Sequence, residues 1–230
     1  MSDSKSLQTR DESLAFFGTI IAGQSHELTN VLNIISELAG LQLDLLRAED
    51  QGSPVNLPRL QEVAARIQKQ VHRGETIIRT INGFAHSADL PVAVFDLKEA
   101  IERVLFLAER PARLARVELV SGLPPESIVL ESNPFCLQQA VFTCIDLALQ
   151  SASDIRQVAV DYVLGGDGAE IRVTSADHLA QDENTDDRME LLRFLLERIG
   201  GSVVKGPGEE SSGILVFRVP QHHGGESEVP

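Results

Sequence analysis

The chain has 230 residues, a formal net charge of −14, and is 43% hydrophobic but only 4% aromatic, enough apolar material for one large domain or two small ones with aliphatic cores. Lys and Arg number 20 against 34 Asp and Glu, a balance that argues against nucleic acid as a partner, because a nucleic-acid binder needs a cationic face to displace phosphate counterions. It also disfavours anionic membranes. No apolar run approaches the roughly 20 residues of a bilayer span, and the opening "MSDSKSLQTRDES" lacks the apolar centre of a signal peptide, so a cytoplasmic protein is expected.

Residues 1–12 read as a disordered N-terminus. From 13 to 48 apolar residues recur at three- and four-residue steps, through Ile20, Val31, Ile35 and Leu38, which is the pattern of a long helix. "EDQGSPVN" interrupts it, and Asn56 ahead of Pro58 signals a new helix start. The stripe Val63, Ile67, Ile77, Ile81 and Phe84 then carries a second helix from about 57 to 85. Two long helices joined by a short turn form an antiparallel hairpin, 13–88. A lone hairpin cannot cover two wide aliphatic stripes, and pairing with a second copy as a four-helix bundle is the economical remedy, so a homodimer is expected.

"HSADLPVAV" reads as a linker, and an α/β domain is expected over 92–220. Its elements are a strand at 92–96, a helix at 97–110, strands at 116–123 and 127–132 around Pro124–Pro125, and a helix opened by Asn133 and Pro134. A hairpin at 156–176 turns at "GGDG", a helix at 189–200 stops at Gly200–Gly201, and strands at 202–206 and 213–220 close the domain. The fold class is therefore α+β: a helical hairpin followed by a two-layer sandwich of segregated helices and mostly antiparallel strands. The polar tail, 221–230, reads as disordered.

"SHELTNVLNII" places His26, Glu27 and Asn30 on the first helix. His-Glu-x-x-His would present two imidazoles to zinc, but the fifth position is Asn30, a poor ligand. His72, His86, His178, His222 and His223 show no ligand spacing with His26, so no resident metal is expected. Neutral imidazole is a good nucleophile near pH 7, and a carboxylate on one ring nitrogen frees the lone pair of the other. Glu27 can supply that carboxylate, and Asn30, one turn on, can orient a water or phosphoryl oxygen. Spacing alone favours solvated polar residues on a bundle helix over the nucleophile, because one short motif is weak evidence. Cys136 and Cys144, eight residues apart on one helix, cannot reach each other as a disulfide and have no cationic neighbourhood to lower a thiol pKa.

The same "SHELTNVLNII", on the first helix of a hairpin that precedes an α/β sandwich, resembles the dimerisation-and-phosphotransfer region of two-component histidine kinases. The resemblance implies that His26 carries a phosphoryl group, Glu27 assists, and Asn30 helps dephosphorylate the partner regulator. Val31 stands where that family has proline, which leaves the helix unkinked. The second domain departs from the family. Thr143 and Leu147 fall where magnesium-binding amides belong, and "DHLAQDENTDD" replaces the Asp-x-Gly-x-Gly turn and the lid. Asp182, Glu183, Asp186 and Asp187 would repel a triphosphate. A phosphorylatable hairpin beside a sandwich without an ATP site is similar to the histidine phosphotransferases of bacterial phosphorelays, such as those of sporulation and the alphaproteobacterial cell cycle. It implies response-regulator receiver domains as partners, with a sensor histidine kinase upstream, and no cofactor in this chain, Mg2+ coming from the receiver. In an antiparallel hairpin His26 lies about level with residue 77, which makes Arg73 and Arg79 phosphoryl-contacting candidates; solvated surface arginines are the plain alternative. A divergent histidine kinase and a non-catalytic scaffold that binds a regulator remain as rival readings.

Overall fold

The computed structural model describes residues 2–50, 56–150, 157–175, 183–205 and 213–222. It divides into two units, Ala15–Gly83 and the residues on either side of it.

In the first unit, helix α1 (Ser2–Asp50) and helix α2 (Leu57–His86) pack through Ile20, Gln24, Glu27, Val31 and Leu38 on one and Val63, Gly74 and Ile77 on the other. A methyl group added at Gly74 would lie 3.5 Å from Val31 Cγ1 and 3.7 Å from Leu28 Cδ1, which sets residues 28–31 level with 74. α2 starts where its cap predicts: Asn56 Oδ1 accepts the Arg59 amide at 3.0 Å. α1 begins at Ser2, not at 13, so the expectation of disorder over 1–12 is corrected. That segment contains Lys, Leu, Gln and Arg and neither Gly nor Pro, and its helix propensity shows no apolar stripe for a periodicity reading to find. The residues up to Leu14 also cluster with the second unit, and Ser13 Oγ donates to Gln139 Oε1 at 3.0 Å.

The second unit has strand β1 (Ala93–Asp96), helix α3 (Leu97–Ala115), strands β2 (Glu118–Ser121) and β3 (Val129–Ser132), and helix α4 (Pro134–Gln150). Strands β4 (Gln157–Gly165) and β5 (Gly168–Ser175), helix α5 (Glu183–Glu197), and strands β6 (Ser202–Lys205) and β7 (Gly213–Pro220) complete it. A five-stranded sheet runs β2-β4-β5-β7-β6, and β1 and β3 pair separately. The two strands flanking Pro124–Pro125 thus enter different sheets: β2 lies parallel to β4, and β3 antiparallel to β1. All other pairs in the large sheet are antiparallel. α3, α4 and α5 bury Ile101, Leu137, Ile145, Leu192 and Leu195 in one cluster with Val160, Ile171 and Phe217 of the sheet.

Local chemistry accounts for the element ends. Asp96 Oδ1 caps α3 by accepting the Glu99 amide at 2.9 Å, and Asn133 Oδ1 caps α4 through the Cys136 amide at 2.8 Å. α3 was expected to stop at Arg110, before Pro111, yet it continues to Ala115 and ends at Arg116 in the left-handed conformation, φ 59°. Proline removes one helical donor without removing the buried contacts of Ala108 and Ala112 on either side, and those hold the last turn. α5 starts at Glu183, ahead of the expected 189, and Gly200 (φ 66°) turns the chain after it. Gly168 opens β5 where a Cβ would fall 2.1 Å from the Val219 carbonyl oxygen, so only glycine fits. Of the tail, Gln221 and His222 are described: the Gln221 carbonyl accepts the Glu131 amide at 2.8 Å, extending the small sheet, while 223–230 lies outside the described residues.

Candidate functional site

The site is built on the middle of α1. His26 and Asn30 are exposed, one helical turn apart, so the imidazole and the amide stand side by side on one face. Thr29, beside them, returns its hydroxyl to the Ser25 carbonyl at 2.9 Å. Glu27 behaves differently. Successive helical residues point about 100° apart, and that rotation takes the Glu27 carboxylate inward while the His26 ring faces out. The Glu27 side chain is only 9% exposed, and Arg73 Nη2 of α2 donates to its Oε2 at 3.0 Å. Glu27 thus bridges the two helices through Arg73.

Of the two arginine candidates, the structure brings Arg73 into the site, where it holds Glu27 and remains 45% exposed. Arg79, six residues further along α2, is exposed on a face about a third of a turn away from Arg73. Gln24, already part of the helical stripe in the sequence, and Gly74 lie at the contact between α1 and α2. Both are buried there, Gln24 as a polar member of an otherwise apolar stripe.

In the second unit, Thr143 and Leu147, the two positions singled out by the sequence resemblance, are both buried. Thr143 donates its hydroxyl to the Gln139 carbonyl at 2.8 Å, and Leu147 is part of the core cluster. Asp146, between them on α4, is bonded to Arg188, which joins α4 to α5. Asp186 and Asp187 are exposed on α5. Asp182 and the glycine-containing stretch 206–212 lie outside the described residues.

Cys136 and Cys144 are free and buried. Burial pushes both thiols upward, that of Cys136 against the opposing influence of Arg198, so neither is a thiolate nucleophile. Among the described residues no cluster of three or more His, Cys, Asp or Glu could hold a metal ion, and no helix is long and apolar enough to cross a membrane.

No protein-family model matches the chain. Histidine protein kinase DivJ of Caulobacter vibrioides is 29% identical over 216 residues, covering 91% of this chain and 34% of DivJ, so the chain spans about a third of the length of that relative. Among solved structures, a histidine kinase from Burkholderia phymatum matches at a TM-score of 0.49 and 16% identity, covering 84% of this chain and 99% of that one. The Acinetobacter baumannii histidine kinase AdeS matches at 0.47 and 15%, covering 85% and 98%.

Proposed function

We propose that the chain is a histidine phosphotransferase of a two-component phosphorelay, with His26 as the phosphoryl carrier between receiver-domain aspartates. The observation that carries this reading is the exposed His26–Asn30 pair, set on a two-helix frame that the part-buried Glu27–Arg73 bond helps to hold together. The likeness to a protein named as a histidine kinase supports it. In the forward step a ring nitrogen of His26 attacks the phosphorus of an aspartyl phosphate, an N–P bond forms, the acyl P–O bond breaks, and the carboxylate leaves. The second step is the reverse, onto a different aspartate. Mg2+ brought by the receiver would supply charge neutralisation at the phosphoryl oxygens. Asn30 lies where its amide can place a water or a phosphoryl oxygen, and Glu27 fixes α2 against α1.

Assembly as a homodimer belongs to this reading. Leu32, Leu43, Val71 and Ile78 are 58%, 55%, 42% and 48% exposed in the single chain, an apolar flank that a second hairpin would cover. The deciding experiment incubates the protein with phosphorylated receiver domains without ATP and maps the acid-labile label. Label at His26 is the expected result, and no label from any receiver would return His26 to a scaffold role.

The name of DivJ favours one rival, a divergent kinase that uses ATP. Saturation at about 100 times its dissociation constant would stabilise the fold by about 2.7 kcal/mol. For a chain of this size that is a melting shift of roughly 5–11 °C. No shift is expected with Mg-ATP, because Leu147 and Thr143 offer no amide to the metal; a saturable shift would select the kinase.

A further inference from the structure

The flank of the hairpin that bears His26 also bears a line of positive charge, of which Arg73 is paired with Glu27, and exposed Glu37, two turns after Asn30, is a further carboxylate of α1 on that flank. α2 holds five cations against two carboxylates, Glu62 and Glu75, in a chain whose net charge is −14. Arg66, Lys69 and Arg73 recur at spacings of three and four, so they lie along one stripe of that helix, spanning about 10 Å. The Arg73–Glu27 bond fixes which flank of the hairpin the stripe occupies. Asn30 follows Glu27 by one turn and His26 precedes Asn30 by one turn, so the stripe and the imidazole share that flank. Like charges at these spacings weaken a helix. Glu62, one turn before Arg66, is bonded to Arg59, and Arg66 and Lys69 meet no carboxylate among the described residues.

We propose that Arg66 and Lys69, in line with Arg73 on α2, form a cationic docking track for the carboxylate-rich face of the protein that exchanges its phosphoryl group with His26. The inference rests on the phosphotransfer reading. Its occupant follows from chemistry: an aspartate that accepts a phosphoryl group with the help of Mg2+ needs further carboxylates to hold the metal, so the face it presents to His26 is acidic. Complementary charge steers such an encounter and shows in the association rate more than in the chemical step. A polyanionic nucleic acid would have to approach against the charge of the whole chain.

The test compares the wild-type chain with the Arg66→Gln/Lys69→Gln double variant, using a panel of phosphorylated receiver domains as donors. The variant is expected to lose about tenfold in the second-order rate constant of label transfer at low salt. The gap should close near about 0.5 M salt, where exposed charges are screened. The saturated first-order rate should not move, and Arg66→Lys/Lys69→Arg should restore the loss. Equal second-order rate constants at every salt concentration would overturn the proposal. If the wild type takes no label, phosphotransfer itself has failed, and the track is then read from the binding of the same receivers by fluorescence anisotropy. Weaker binding by the double variant supports the track, whereas equal affinity, or no binding to the wild type, overturns it. Binding of a labelled duplex, or self-association, that the variant alone loses would also overturn it, assigning the stripe to nucleic acid or to a second copy.

Discussion

His26 faces out and Glu27 faces in, and the two positions therefore answer substitution differently. His26→Gln removes the nucleophile from an exposed site, so phosphoryl acceptance should vanish while the melting temperature stays within the scatter of surface changes, about 0.5 kcal/mol. Retained transfer in that variant would remove His26 from the chemistry. Asn30→Ala should spare transfer and reduce hydrolysis of a receiver's phosphoaspartate, measured as the decay of label on the partner. Glu27→Gln breaks the charge pair with Arg73. Because Arg73 is 45% exposed, water screens much of the loss, and a cost of about 1 kcal/mol is expected in a denaturant titration. Sequence placed the triplet on one helix but did not show which member faces inward, since residues adjacent in sequence diverge on a helix and Arg73, which bonds Glu27, lies 46 positions away. A second residue-scale effect belongs to Cys144, whose thiol is raised by burial from its ordinary value of 9.0. Above that value the unfolded chain releases the proton and the folded chain keeps it. Stability therefore falls as pH rises past 9.0, by at most about 1.4 kcal/mol per pH unit. Cys144→Ala should flatten the alkaline limb of the stability profile; an unchanged limb would show that the thiol does not titrate on unfolding.

At the scale of elements, caps and turns were the most legible features. Asn56, Asn133, Gly166–Asp167 and Gly200 each mark an end where the backbone needs a side-chain acceptor or a left-handed residue, and those needs are local. Asn133→Ala removes the acceptor for the Cys136 amide at the buried start of α4 and should cost about 1 kcal/mol. In a chain of this size the melting temperature should drop by about 2–4 °C. No drop would mean that another acceptor takes over the amide. Less legible were the ends that tertiary packing decides. α3 runs through Pro111 because Ala108 and Ala112 are buried on both sides of it, and no local signal carries that. β2 and β3 are neighbours in sequence, but β2 pairs with β4 across the whole of α4, a choice made by the sheet and not by the turn at Pro124–Pro125.

For the whole molecule, the amphipathic hairpin and the aliphatic α/β unit were both readable from periodicity. The first turns of α1 cluster with the α/β unit, and polar residues with helix propensity give no sign of which neighbour they will join. The proposed dimer rests on the apolar flank of the hairpin. Leu32→Glu with Ile78→Glu changes two side chains that are already about half exposed in the single chain, so folding should survive while any pairing through that flank is lost. Light scattering at micromolar concentration should show twice the chain mass for the wild type and one chain mass for the double variant. A single-chain mass for the wild type would count against the dimer.

The two edges of the large sheet bear on the same question. β2 and β6 are each four residues long, and the register of β6 against β7 slips between Val203 and Lys205. So short a run of free backbone donors and acceptors offers little template for a foreign strand, and the irregularity twists the β6 edge further out of line. Ribbon-to-ribbon stacking between copies, the usual hazard of an open sheet, is thereby discouraged. The proposed pairing of copies therefore falls to the helices of the hairpin and not to a continuation of the sheet.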